Sequence, residues 1–110
     1  RMFFGWMPAH PTFYCKTSLL KSIDGFDLSL PISADYDLML RLLESKNAHS
    51  KWINQNLVLM REGGNSGGGL SSIIKQNLEC VKSRNKLRKF KLPLDLGFFL
   101  KPISKLKQFY

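Results

Sequence analysis

The chain has 110 residues, 44% of them hydrophobic and 23% charged, with a net charge of +9. That is the make-up of one globular domain and excludes a wholly disordered chain. A domain this small buries roughly 60–70% of the surface its unfolded chain exposes, and no apolar run approaches the about 20 residues that span a bilayer.

The first residues lack the basic, apolar and small-residue order of a secretory signal. Arg1 in place of Met predicts a segment of something longer. Two cysteines, Cys15 and Cys80, are far apart and have no metal-type spacing, so both read as reduced thiols of a cytosolic protein. The charge is uneven. Residues 1–69 hold seven Lys/Arg and six Asp/Glu, net +1; residues 70–110 hold ten and two, net +8. The first part is balanced, like an enzyme domain, and the second is a basic tail suited to an anionic partner.

Residues 2–15 are aromatic and carry Pro8 and Pro11, which exclude a helix interior and predict an extended segment, with a short buried strand from Thr12 to Cys15. Thr17 or Ser18 can cap a short helix to about Ile23, with Gly25 at its C-terminal end. A turn and loop follow through GFDLSLP. Ser33 is the expected N-cap of the next helix, over 34–46. Tyr36, Met39, Leu40 and Leu43 mark its buried face at i, i+3, i+4 and i+7. Two strand-like runs, Lys51–Ile53 and Leu57–Met60, flank a turn at NQN. The stretch Glu62–Gly69, EGGNSGGG, is too glycine-rich for a regular element. A long helix is expected from Ser71 to Phe90, with Ile74, Leu78 and Val81 on one face, stopped by Pro93. The end alternates apolar and basic residues.

The chemistry concentrates at the start of the central helix. Successive helical residues lie about 100° apart, so Asp35 and Asp37 point to nearly opposite sides. Asp37 precedes Arg41 by four residues, an ion-pair spacing. Asp35 meets Leu38 and Met39 at i+3 and i+4 and has no local basic partner. Facing a cleft, such a carboxylate can take a proton from a hydroxyl; both acids equally fit a plain role beside the helix dipole. The DYD triplet has the letters of a metal-binding DxD. That motif follows an apolar strand, whereas this one opens a helix in which the two acids diverge. His10, between two prolines, is stiffened and can meet substrate or simply pack; His49 reads as a surface residue. The glycine-rich loop can offer backbone N–H groups and Ser66 to a diphosphate or serve as a connector or lid, but it lacks the lysine and helix of a P-loop.

The order MPAHPTFYCKTSLLKSIDGFDLSLPISADYDLMLRLLES followed by KWINQNLVLMREGGNS resembles the C-terminal half of family 2 glycosyltransferases, in the branch that builds bacterial surface polysaccharides. The likeness covers residues 5–66, and its most specific parts are HPTFY, the GFD turn, ADYDLMLRL and MREGGNS. It implies an α/β fold, the GT-A nucleotide-binding sandwich, of which this chain is the α+β C-terminal part: residues 1–69 the acceptor-side, catalytic-base part and residues 70–110 a basic helix and amphipathic tail. The family's base is the aspartate of a Glu-Asp pair at a helix start. Here the pair is Ala34-Asp35, so the glutamate is absent and Asp35 takes the base position. Arg41 matches the helix arginine, His10 and Thr12 fall on the acceptor side, and Gly63, Gly64 and Ser66 match the loop after the last strand.

The implied reaction is an inverting transfer from a nucleotide-diphospho-sugar to a saccharide or lipid-linked acceptor, assisted by Mg²⁺ or Mn²⁺ whose ligands lie mainly outside this chain. The nucleotide-binding half precedes the region of likeness, so this fragment is expected to be inactive alone. Residues 86–110 are expected to meet an anionic membrane from the cytoplasmic side, with Phe98, Phe99, Phe109 and Tyr110 entering the interface. The rival is a basic membrane- or nucleic-acid-binding module without catalysis; the lack of any helix-turn-helix, zinc or RNA-binding signature argues against nucleic acid.

Overall fold

The computed structural model describes residues 2–4, 6–46, 48–59 and 70–88. Regular structure among them is helical: single 3-10 turns at Met2–Phe4 and His10–Thr12, a short helix α1 (Thr17–Lys21), a central helix α2 (Ala34–Leu40) running into a π-helical turn (Arg41–Ser45), and a long helix α3 (Leu70–Leu87). The order of helices matches expectation, with the central one helical to Ser45 and the last one helical to Leu87.

α1 stops where two residues turn left-handed, Asp24 at φ 58° and Gly25 at φ 67°. The Asp24 N–H donates to the Lys21 carbonyl (3.2 Å) and the Gly25 N–H to the Leu20 carbonyl (3.1 Å). Those two bonds form a Schellman closure. Gly25 is the expected stop, but Asp24 is the first left-handed residue, a conformation that aspartate tolerates better than most side chains.

α2 is central because it is apolar on two sides. Tyr36, Met39 and Leu40 pack with Met2 and Cys80, and Leu43 joins them. Leu38 and Leu42 form a second stripe against Ile23, Leu19 and Leu20. Phe13 packs on both clusters and ties the segment after the His10–Thr12 turn to α2. The first stripe contains the residues expected from the sequence; the second goes beyond them.

Two expectations are corrected. No strand forms among the described residues, neither at Thr12–Cys15, nor at Lys51–Ile53, nor over 57–59. The reason is physical: a β-strand is stable only with neighbours, and this stretch has none among the described residues, where Leu59 is 93% exposed. Met60 lies outside the described residues. Secondly, α3 does not bury Ile74 and Leu78, which are 46% and 48% exposed. Over residues 71–87 its buried residues are Asn77, Cys80, Val81, Ser83 and Arg84. Of the expected face only Val81 is inside, because α3 docks on α2 with a largely polar face.

Candidate functional site around Asp35 and Asp37

The two acids of DYD have separate environments. Asp37 is 1% exposed. Its Oδ2 accepts the Arg41 Nε–H at 2.7 Å and its Oδ1 accepts the Ser83 hydroxyl at 2.7 Å. The i, i+4 pair with Arg41 therefore forms, and α3 satisfies the other oxygen. A buried carboxylate needs that full set of partners. Asp35 is half-buried one residue into α2. Its Oδ1 accepts the N–H of Tyr36 at 2.7 Å. Among the described residues it joins no ion pair.

Arg41 is a clamp. Besides Asp37, its Nη1 donates to the Ile23 carbonyl and its Nη2 to the Gly25 carbonyl at 2.6 Å. Three of its donors thus hold the left-handed turn after α1 against α2. This planar fork suits arginine and no other side chain. Three of its five N–H donors are thus engaged inside the protein. A shallow depression of about 340 Å³ lies beside it, lined by residues 23–28 and Arg41. Asp35 does not line it.

The start of α2 is held from outside. Ser33 occupies the N-cap position, but its side chain does not cap the helix; its hydroxyl donates to the Gln76 carbonyl at 3.1 Å. Instead, Glu79 Oε2 accepts the N–H of Ile32 (3.0 Å) and of Ser33 (2.9 Å). Behind this, the Tyr36 hydroxyl donates to the Met2 carbonyl at 2.7 Å and accepts from Arg84 Nη1 at 3.0 Å. The guanidinium of the buried Arg84 also lies 5.7 Å from the Tyr36 ring centre. In the loop before α2, Asp27 accepts the Ser29 N–H at 2.9 Å and pairs with Lys86 of α3. The hydrogen bond from Lys86 holds the Asp27 carboxyl well below the usual carboxylate range.

Of the other expected site residues, His10 and Thr12 are described. His10 and Thr12 share the exposed 3-10 turn, where the Thr12 hydroxyl donates to the Ala9 carbonyl at 2.8 Å. Gly63, Gly64 and Ser66 lie outside the described residues, as does most of the 86–110 tail. Cys15 is exposed and Cys80 buried, and neither is in a disulfide. Both oxygens of Asp37 are committed inside the fold, to Arg41 and to Ser83. Among the described residues no helix is long and apolar enough to cross a membrane.

Sequence reasoning missed Glu79, Ser83 and Arg84. The signal for two of them was present: Glu79 and Ser83 are four apart and lie on one face of α3. Their partners, 46 residues earlier in the chain, carry no local mark. No protein-family model, curated protein sequence or solved structure matches this chain.

Proposed function

We propose that the chain is the acceptor-side part of an inverting glycosyltransferase and that Asp35 is its general base. The observation that carries this reading is the division of labour in DYD. Asp37 is consumed by Arg41 and Ser83, while Asp35, half-buried at the start of a braced helix, keeps a carboxylate oxygen free of any partner among the described residues. The ordered likeness of residues 5–66 to family 2 enzymes supports the same reading.

In the reaction, Asp35 takes the proton of an acceptor hydroxyl as that oxygen bonds to the anomeric carbon. The bond from that carbon to the nucleotide diphosphate breaks, and the diphosphate leaves with the electron pair. Base catalysis of this kind contributes on the order of 10²–10⁴ in rate. The α/β nucleotide-binding sandwich, the donor site and the divalent cation belong to the complete enzyme rather than to these residues. The test is sugar transfer by the complete enzyme carrying Asp35→Asn. Turnover falls by about 10² or more while the nucleotide sugar still binds. Turnover near the parent's would remove Asp35 as the base.

A second reading is an anion-binding module without catalysis, meeting an anionic membrane. It draws on the depression of about 560 Å³ lined by Lys82, Asn85, Lys86 and Arg88. It is checked by sedimentation with anionic vesicles at low salt, where an unbound chain counts against it.

A further inference from the structure

α3 carries on one face the groups that hold the start of α2. From Gln76 through Glu79 to Ser83 the spacing is three and then four, so these residues stack along one side of the helix. Each meets a different part of the α2 start: the main-chain carbonyl of Gln76 accepts from the Ser33 hydroxyl, the Glu79 carboxylate accepts from the N–H groups of Ile32 and Ser33, and the Ser83 hydroxyl donates to the Asp37 carboxylate.

The Glu79 contact has a recognisable logic. In a capping box, an acid at the third helical position reaches back to the N–H of the N-cap residue. In α2 that third position is Tyr36, which cannot accept such a bond with a carboxylate and whose hydroxyl is committed to Met2 and Arg84. Glu79 supplies the missing acid from another helix. One of its oxygens fixes two successive N–H groups, at 3.0 and 2.9 Å, immediately before the turn that carries Asp35.

We propose that Glu79 is a positioning residue for Asp35. It fixes the backbone where the chain turns from Pro31 into α2, and so sets the direction in which the Asp35 carboxylate leaves the helix. The inference rests on the reading of Asp35 as the base. Its effect is on orientation rather than on folding, because α2 keeps its Ser83 bond and its packing against Cys80 without Glu79.

The test compares kcat and donor KM of the complete enzyme carrying Glu79→Ala, Glu79→Gln, Val81→Ala or Asp35→Asn. Glu79→Ala lowers kcat by roughly 10- to 100-fold, the scale set by a misplacement of about 1 Å, and leaves the donor KM within about twofold. Glu79→Gln keeps an oxygen acceptor for both N–H groups and restores kcat to within about threefold of the parent. Val81→Ala thins the buried side of α3 away from Ile32 and Ser33 and leaves kcat within about twofold. Amide exchange at Ile32 and Ser33 in the same proteins quickens by about tenfold or more in Glu79→Ala alone. An unchanged kcat in Glu79→Ala beside an inactive Asp35→Asn overturns the positioning role and leaves the base in place. Equal losses in the Ala, Gln and Val81 variants also overturn it, because they mark general loosening. An active Asp35→Asn removes the base, and the positioning role with it.

Discussion

Replacing Arg41 with alanine removes three donors at once. Asp37 keeps only the Ser83 hydroxyl at 2.7 Å, and the carbonyls of Ile23 and Gly25 lose their partner. Removing one partner of a buried ion pair costs about 3–5 kcal/mol, because the other charge stays buried without compensation. The Asp37 side chain is 1% exposed, but that of Arg41 is 21% exposed. Some water therefore already reaches the pair, which places the loss near about 3 kcal/mol. Domains of this kind hold only about 5–15 kcal/mol in total. With a urea slope near about 1.5 kcal/mol/M, the midpoint falls by roughly 2 M. Urea unfolding followed by helical circular dichroism measures it. Adding Asp37→Asn to Arg41→Ala recovers part of the loss, since the stranded charge is gone, whereas Arg41→Lys recovers little because one ammonium cannot serve three acceptors. A loss below about 1 kcal/mol for Arg41→Ala, the range of a surface pair, would refute the clamp.

Gly25→Ala lowers stability by about 1 kcal/mol in thermal melts, through the left-handed backbone alone, since nothing lies within 4 Å of the added Cβ. Tyr36→Phe removes the bond to the Met2 carbonyl and the one accepted from Arg84 and costs about 1–3 kcal/mol by the same urea assay. For Asp27 the prediction is one of pH. Its folded carboxyl titrates well below the usual range because of the Lys86 hydrogen bond, so at falling pH the unfolded chain takes up the proton first. The pair's contribution is complete above about pH 4 and fades as pH falls further. Asp27→Asn flattens that acid limb in melting temperatures taken from pH 5 to pH 2. The size stays under about 1 kcal/mol, because solvent reaches both partners, 41% exposed for Lys86 and 26% for Asp27.

Local signals carried the helices. The spacing of Tyr36, Met39 and Leu40 marks the buried side of α2, Gly25 marks the stop after α1, and the step from Asp37 to Arg41 gives their ion pair. Partners distant in the chain were not legible. Ser33 looked like a cap because its residue type is right for the position, yet its hydroxyl donates to the Gln76 carbonyl, 43 residues later. Ile74 and Leu78 looked like a core face because they are apolar at helical spacing, but α3 docks through Ser83, Arg84 and Glu79, whose hydrogen bonds outweigh the period. The runs at Lys51–Ile53 and Leu57–Met60 have strand-like composition, and composition alone does not supply the neighbouring strand that a ladder requires. Within the candidate site, Asp35 and Asp37 separated on helical geometry, whereas the multiple commitments of Arg41 needed three-dimensional contacts.

The proposed function requires Asp35 to be the reactive acid and Asp37 the structural one. Parallel measurement of urea stability and sugar transfer in complete enzymes carrying Asp35→Asn or Asp37→Asn tests that division most directly. The account predicts that Asp35→Asn keeps stability within about 0.5 kcal/mol, as for a substitution outside the core, and loses turnover by about 10² or more. Asp37→Asn loses stability by more than about 1 kcal/mol, since its charge-assisted bonds to Arg41 and Ser83 weaken. An Asp35→Asn enzyme that turns over normally, or one that unfolds as Asp37→Asn does, would contradict it.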